Sequence, residues 1–139
     1  MSLEPASPTT PDDLIALVER QVAQAQEHAD QTQALADNIA AVRAKASSPG
    51  KEVTLSVDVS GRIAELEFDT SALSLSTRDL ASVVLTAVDT AQRTAARQVM
   101  AMTNETFGEG SGLSQQVRGE YEARLGPDFD ADDEDGIRW

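Results

Sequence analysis

Between residues 51 and 96 three periodicities follow one another in a fixed order, and that order restricts the fold more than any other feature of the chain. Residues 53–59 (VTLSVDV) and 62–68 (RIAELEF) alternate apolar and polar side chains, the period of a half-buried strand. A turn at Ser60-Gly61 places Val59 opposite Arg62, which sets Val57 against Ala64, Leu55 against Leu66 and Val53 against Phe68. All three apolar pairs then share one face, and Thr54, Ser56, Asp58, Glu65 and Glu67 share the other. The expectation is a hairpin with one buried face. A connector, DTSALSLS, ends in helix-start chemistry: Ser76 can cap, Asp79 lies three residues on, and Leu75 can staple to Leu80. Beyond it Leu80, Val84, Ala87, Ala91, Ala95, Val99 and Met102 recur at helical spacing, which predicts a helix of about 25 residues.

The residues before the hairpin predict another long helix. Thr10-Pro11-Asp12-Asp13 supplies a capping oxygen, a proline suited to the first helical position, and acids at the positive end of the dipole. Ile15, Val18, Val22, Ala25, Ala29, Thr32, Ala36 and Ile39 then alternate spacings of three and four, the seam of a helix that packs lengthwise on another helix. The middle of that seam is alanine and threonine, which permit close approach but bury little area. Ser47, Ser48, Pro49 and Gly50 end the segment, and residues 43–48 read as a last helical turn, with a short extra strand as the lesser alternative. The fold class is α+β: long helix, two- or three-stranded antiparallel sheet, long helix. Residues 1–11 and 105–139 are read as a disordered N-terminal tail and a flexible acidic C-terminal tail around a domain of residues 12–104.

That order of elements resembles the YbaB/EbfC family of bacterial nucleoid-associated proteins over residues 14–112. The resemblance rests on the Gln/Ala-rich first helix (QVAQAQEHADQTQALADNI) and on the strand pair closing at Ser60-Gly61-Arg62. It extends to LEFDTSAL, where the family has a hydrophobic-x-(Ile/Phe)-Asp-x-x-Leu pattern, and to the Ala/Val-rich second helix (VVLTAVDTAQRTAAR) with its GEGSG exit. The resemblance implies a tweezer-like homodimer that binds DNA with little sequence preference, carries out no catalysis, and resides in the cytoplasm on the nucleoid.

Charge opposes the DNA expectation. Eleven Lys and Arg against 24 Asp and Glu leave −13. Residues 119–139 hold eight acids and two arginines, so the part up to Arg118 still carries −7. Affinity for DNA comes largely from neutralised phosphates, and an acidic surface repels them at long range. Arg43, Lys45 and Lys51 nevertheless bracket the junction of first helix and hairpin, and Arg62 lies at the hairpin turn. These four are the candidate nucleic-acid-binding residues. Their alternative reading is ordinary, since basic groups near a helix C-terminus complement its dipole. On the second helix Asp89, Arg93 and Arg97 read as a surface ion-pair ladder before a phosphate clamp.

No constellation for chemistry assembles, so no enzyme, cofactor or metal site is expected. The single His28 is a mid-helix residue flanked by Glu27 and Asp30. Glu65 and Glu67 fall on the exposed strand face, where nothing shifts a carboxylate toward catalysis. DADDEDG lacks the sixth-position glycine and the closing glutamate of a calcium loop. There are no cysteines, and no apolar run is long enough for a membrane span. The N-terminus lacks the basic-then-apolar layout of a signal peptide. Leu113, Val117, Tyr121 and Leu125, spaced by four, hint at a short helix against the grain of Gly119. Past Gly126-Pro127 the chain is acidic with isolated Phe129, Ile137 and Trp139. These three are the candidate partner-binding residues if the tail docks another protein. The alternative to a DNA-binding homodimer is thus a protein-interaction module on the same scaffold, with DNA binding lost.

Overall fold

Helix, hairpin and helix form in the expected order, with a third strand ahead of the hairpin and a third helix behind it. A computed structural model describes residues 10–131, so Ile137, Trp139 and the first nine residues lie outside the described part. The elements are α1 (Pro11–Ala40), β1 (Ala44–Ser47), β2 (Val53–Val57), β3 (Ile63–Phe68), a 3₁₀ turn (Thr70–Ser74), α2 (Thr77–Phe107) and α3 (Gly112–Leu125). They divide into two compact units at Ala36/Asp37.

The first unit is the body of α1. Thr10 caps it by accepting the Asp13 N–H at 3.1 Å, and Asp12 and Asp13 occupy the positive end of the dipole. Several of its apolar residues are uncovered: Leu14, Ile15, Val18 and Val22 are all exposed, Val22 by 62%, while Leu35 is buried.

The second unit begins at Asp37. Residues 43–48 settle as strand, because Ala44 and Ala46 pair with Val57 and Leu55 and bury their small side chains on the inner face. The antiparallel sheet runs β1-β2-β3. Val53, Leu55 and Val57 are essentially fully buried beneath α2, which presents Ala87, Ala91, Ala95 and Val99 at four-residue spacing. Alanine there brings helix and sheet close together. Ser76 caps α2 through the Asp79 N–H at 3.0 Å. Asp69 caps the 3₁₀ turn before it by accepting the Ser71 N–H at 2.9 Å.

Three expectations need correction. Val53–Phe68 and Leu55–Leu66 pair as expected, but Val57 pairs with Ile63 rather than Ala64, across an irregularity at Ser56/Val57. The cause is the turn. The favoured two-residue hairpin turns all need positive φ at the first central position, here Ser60, and of the pair only Gly61 (φ 87°) adopts it. Asp58 and Arg62 therefore close a three-residue loop: Asp58 N–H donates to the Arg62 carbonyl at 2.9 Å. The Asp58 carboxylate accepts the Ser60 and Arg62 N–H groups, both at 3.0 Å.

Second, the apolar hairpin face is buried only along β2. In β3, Ile63, Leu66 and Phe68 are 46%, 43% and 52% exposed, because α2 covers β1 and β2 and the outer strand lies beyond it. Third, residues 105–131 are not a loose tail. The long helix runs on to Phe107, and α3 packs back on α2. Ser111 caps α3 through the Ser114 N–H at 3.1 Å, and Tyr121 and Phe129 join the same buried cluster as Val99 and Met100. One deep aromatic anchor supplies what the weak periodicity of this segment does not.

Candidate nucleic-acid interface

Antiparallel register separates the four sequence candidates. Ala44 pairs with Val57 at the end of the sheet that carries the 58–62 loop. Arg43 and Arg62 therefore belong to one end. Lys51 sits in the 48–52 turn at the other, roughly 17 Å away along five residues of β2. Lys51 adopts φ 61° there. The turn around it is held by buried Ser48, which donates to a Glu52 carboxylate oxygen at 2.6 Å and accepts the Val53 N–H at 3.2 Å. The Ser48 hydroxyl, first among its causes, holds the Glu52 carboxyl below the ordinary range.

Arg43 turns its guanidinium onto α1's end, donating to the Val42 carbonyl at 2.7 Å and the Ala40 carbonyl at 3.4 Å. It thus does what a cation at a helix C-terminus ordinarily does. Lys45 shares a transverse row with Ser56 and Glu65 and lines a shallow depression with Thr54, Glu65 and Glu67. Its charge faces carboxylates. Arg62 is exposed at the tip, and hydrogen bonds to Asp58 close the loop beneath it. The Arg62 and Ser60 N–H groups, Arg62 first, hold the Asp58 carboxyl below its ordinary range.

The tip is also tied to the helices. Gln92 on α2 donates to the Gly61 carbonyl at 2.9 Å, and Arg124 on α3 donates to the Ser60 carbonyl at 3.3 Å while lying 5.3 Å over the Tyr121 ring. Behind it Arg93 pairs with Asp89 at 3.0 Å and donates to the Leu125 carbonyl at 3.1 Å. Arg97 donates to Thr94 at 3.1 Å and to the Ala131 carbonyl at 3.3 Å. The expected ladder is therefore real for Asp89–Arg93, while Arg97 is engaged by Thr94 and the C-terminal segment. Arg118 pairs with Asp130 at 2.8 Å and lies 5.5 Å over the Phe129 ring. Arginines 93, 97, 118 and 124 were not chosen from sequence as a group. Only the spacing of Leu113, Val117, Tyr121 and Leu125 hinted that α3 exists to bring them together. Phe129, a candidate for partner binding, is fully buried and stacks 5.5 Å from Tyr121, so in this state it faces the core and not a partner.

Residues 17–110 match the family model of the YbaB/EbfC DNA-binding family. The chain belongs to that family. The α+β fold is the family's, and YbaB/EbfC proteins act in DNA binding without catalysis. The matched region ends within the loop between α2 and α3, so α3 and the Phe129 anchor lie outside it. Comparison with curated proteins and with solved structures brings no match.

Proposed function

We propose that this YbaB/EbfC protein is a homodimer that binds DNA on the nucleoid through phosphate contacts, with little sequence preference, and that the hairpin tip carrying Arg62 meets the backbone. The single observation that carries the reading is the family match over residues 17–110. Arg62 supports the location: it is exposed on a loop clamped by Asp58, so little side-chain and backbone order is lost on contact beyond its own rotamers. Arg43 and Lys45 contribute secondarily, one through the carbonyls it holds and the other among carboxylates. Dimerisation is supported by the apolar surface one chain leaves uncovered, Ile15, Val18 and Val22 on α1 and Leu66 and Phe68 on β3.

The net charge of −13 favours a second reading, a protein-interaction module that has lost DNA binding. With Phe129 committed to the core, Ile137 and Trp139 are the remaining tail residues for that role. A gel shift on random-sequence duplex at about 50 and 200 mM salt separates the two readings, since phosphate contacts lose orders of magnitude in affinity over that range. Salt-sensitive binding weakened by Arg62→Glu supports the DNA reading. Absence of any shift at the lower salt removes it and leaves the interaction module.

A further inference from the structure

The family match ends at residue 110, yet this chain continues into a helix and an anchoring segment that together engage two arginines of the second helix, Arg93 and Arg97. The mode of engagement is specific. A guanidinium offers a planar fork of donors that fits two oxygens of one phosphate. In Arg93 part of that fork goes to the Leu125 carbonyl, in the last turn of α3, and in Arg97 part goes to the Ala131 carbonyl beyond it. The final carbonyls of a helix are unpaired within it and carry the negative end of its dipole. The end of α3 thus stands where an anion could stand, offering partial charges in place of a full one.

The segment's hold on the scaffold is concentrated at a few points. It is joined through Gly108, at φ 91°, and α3 ends at Gly126, at φ 97°. Its deep hold is a single side chain, Phe129, with Tyr121 beside it. The rest of α3 is intermediate or exposed except Ser114. Releasing it frees the Arg93 and Arg97 donors now held by Leu125 and Ala131, while Asp89 and Thr94 on α2 keep their own bonds to the two arginines. The Arg62 tip, which Arg124 now ties to α3, lies in the same unit.

We propose that residues 112–131 are an internal restraint on DNA binding: they cover a second phosphate-contacting surface, Arg93 and Arg97 of α2, and DNA gains those contacts only when the segment lifts. The inference rests on the DNA reading above and adds regulation to it. Linkage makes it reciprocal, so whatever releases the segment strengthens DNA binding and DNA promotes release. Because the closed chain still binds through the Arg62 tip, the gain on forced release is at most the reciprocal of the fraction already released; a minor state of about 1–10% caps it at roughly 10- to 100-fold.

Two measurements test it. In the full wild-type chain, hydrogen exchange with and without saturating duplex should show residues 112–131 losing protection on DNA while β1 to β3 keep theirs. Unchanged or increased protection of 112–131 in a chain that binds DNA overturns the restraint and leaves the DNA reading standing. In the full chain carrying Phe129→Ser, affinity should rise by up to that factor and the log–log salt slope should steepen by about two per subunit that contacts the DNA. Adding Arg93→Gln and Arg97→Gln should remove the gain. A gain that survives those two changes, or no gain in a protein whose circular dichroism shows its helices intact, overturns the proposal. If Phe129→Ser unfolds the chain, the exchange experiment decides alone. Absence of DNA binding by both proteins overturns this proposal together with the reading it rests on.

Discussion

The side-chain amide of Gln92 donates to the backbone carbonyl of Gly61 at 2.9 Å, joining the middle of the long second helix to the hairpin tip thirty-one residues earlier in the chain. Gly61 is at φ 87°, and a β-carbon added there would lie 3.2 Å from the Gln92 amide nitrogen. Gly61→Ala meets both the left-handed backbone penalty and that close contact, so it should destabilise the protein by about 1–2 kcal/mol. Gln92→Ala loses one hydrogen bond and should cost about 1 kcal/mol. Because both changes loosen the same loop, the double variant should cost less than the sum of the two, as read by chemical denaturation.

Leu55 and Leu66 face each other across the hairpin, yet they should respond oppositely to charge. Leu55 is 1% exposed, and Leu55→Asp should unfold the protein, at a cost of about 3 kcal/mol or more. Leu66 is 43% exposed in one chain, so Leu66→Asp should leave the chain folded and, if β3 lies in the proposed dimer interface, shift sedimentation equilibrium toward monomer. Unfolding by Leu66→Asp equal to that by Leu55→Asp would place β3 inside the single-chain core.

That contrast marks where the sequence stops being informative. Alternation specified β2 and β3, and helical spacing specified α1 and α2, because both patterns are local. Val53–Phe68 and Leu55–Leu66 were legible for the same reason. The shift to Val57–Ile63 was not, since it depends on Asp58 outcompeting a tighter turn for the Ser60 and Arg62 N–H groups. Nor does alternation reveal what covers a face: Leu66 and Leu55 look alike until α2 is placed. The basic group of Arg93, Arg97, Arg118 and Arg124 was hidden because α3 is weakly patterned and is held largely by one residue, Phe129, distant from α2 in sequence.

Acid should act first on the loops. Backbone N–H groups hold the Asp58 and Asp69 carboxyls below their ordinary range, and the Ser48 hydroxyl does the same for Glu52. A folded-state value lower than the unfolded one means that stability is whole above the unfolded value and is lost as pH falls through the folded one. The melting temperature should therefore be flat above about pH 5 and decline below about pH 4. Asp58→Asn keeps an acceptor for the Ser60 and Arg62 N–H groups but does not titrate, so it should flatten part of that decline. An unchanged profile in Asp58→Asn would show that the loop carboxylate is not among the groups being titrated.

Lys51 gives the sharpest separation of stability from DNA contact. It holds φ 61°, where an L-residue with a β-carbon is strained by about 1–2 kcal/mol, and it lies at the sheet end away from Arg62. Glycine relieves that strain but adds freedom to the unfolded chain, which returns about 0.5–1 kcal/mol. Lys51→Gly should therefore stabilise the fold by about 0.5–1 kcal/mol. If the tip is the interface, the same substitution should leave the salt slope of DNA binding unchanged, whereas Arg62→Glu should flatten it by about one per subunit that contacts the DNA and leave the melting temperature nearly in place. A flatter slope in Lys51→Gly, with Arg62→Glu silent, would move the interface to the opposite end of the sheet.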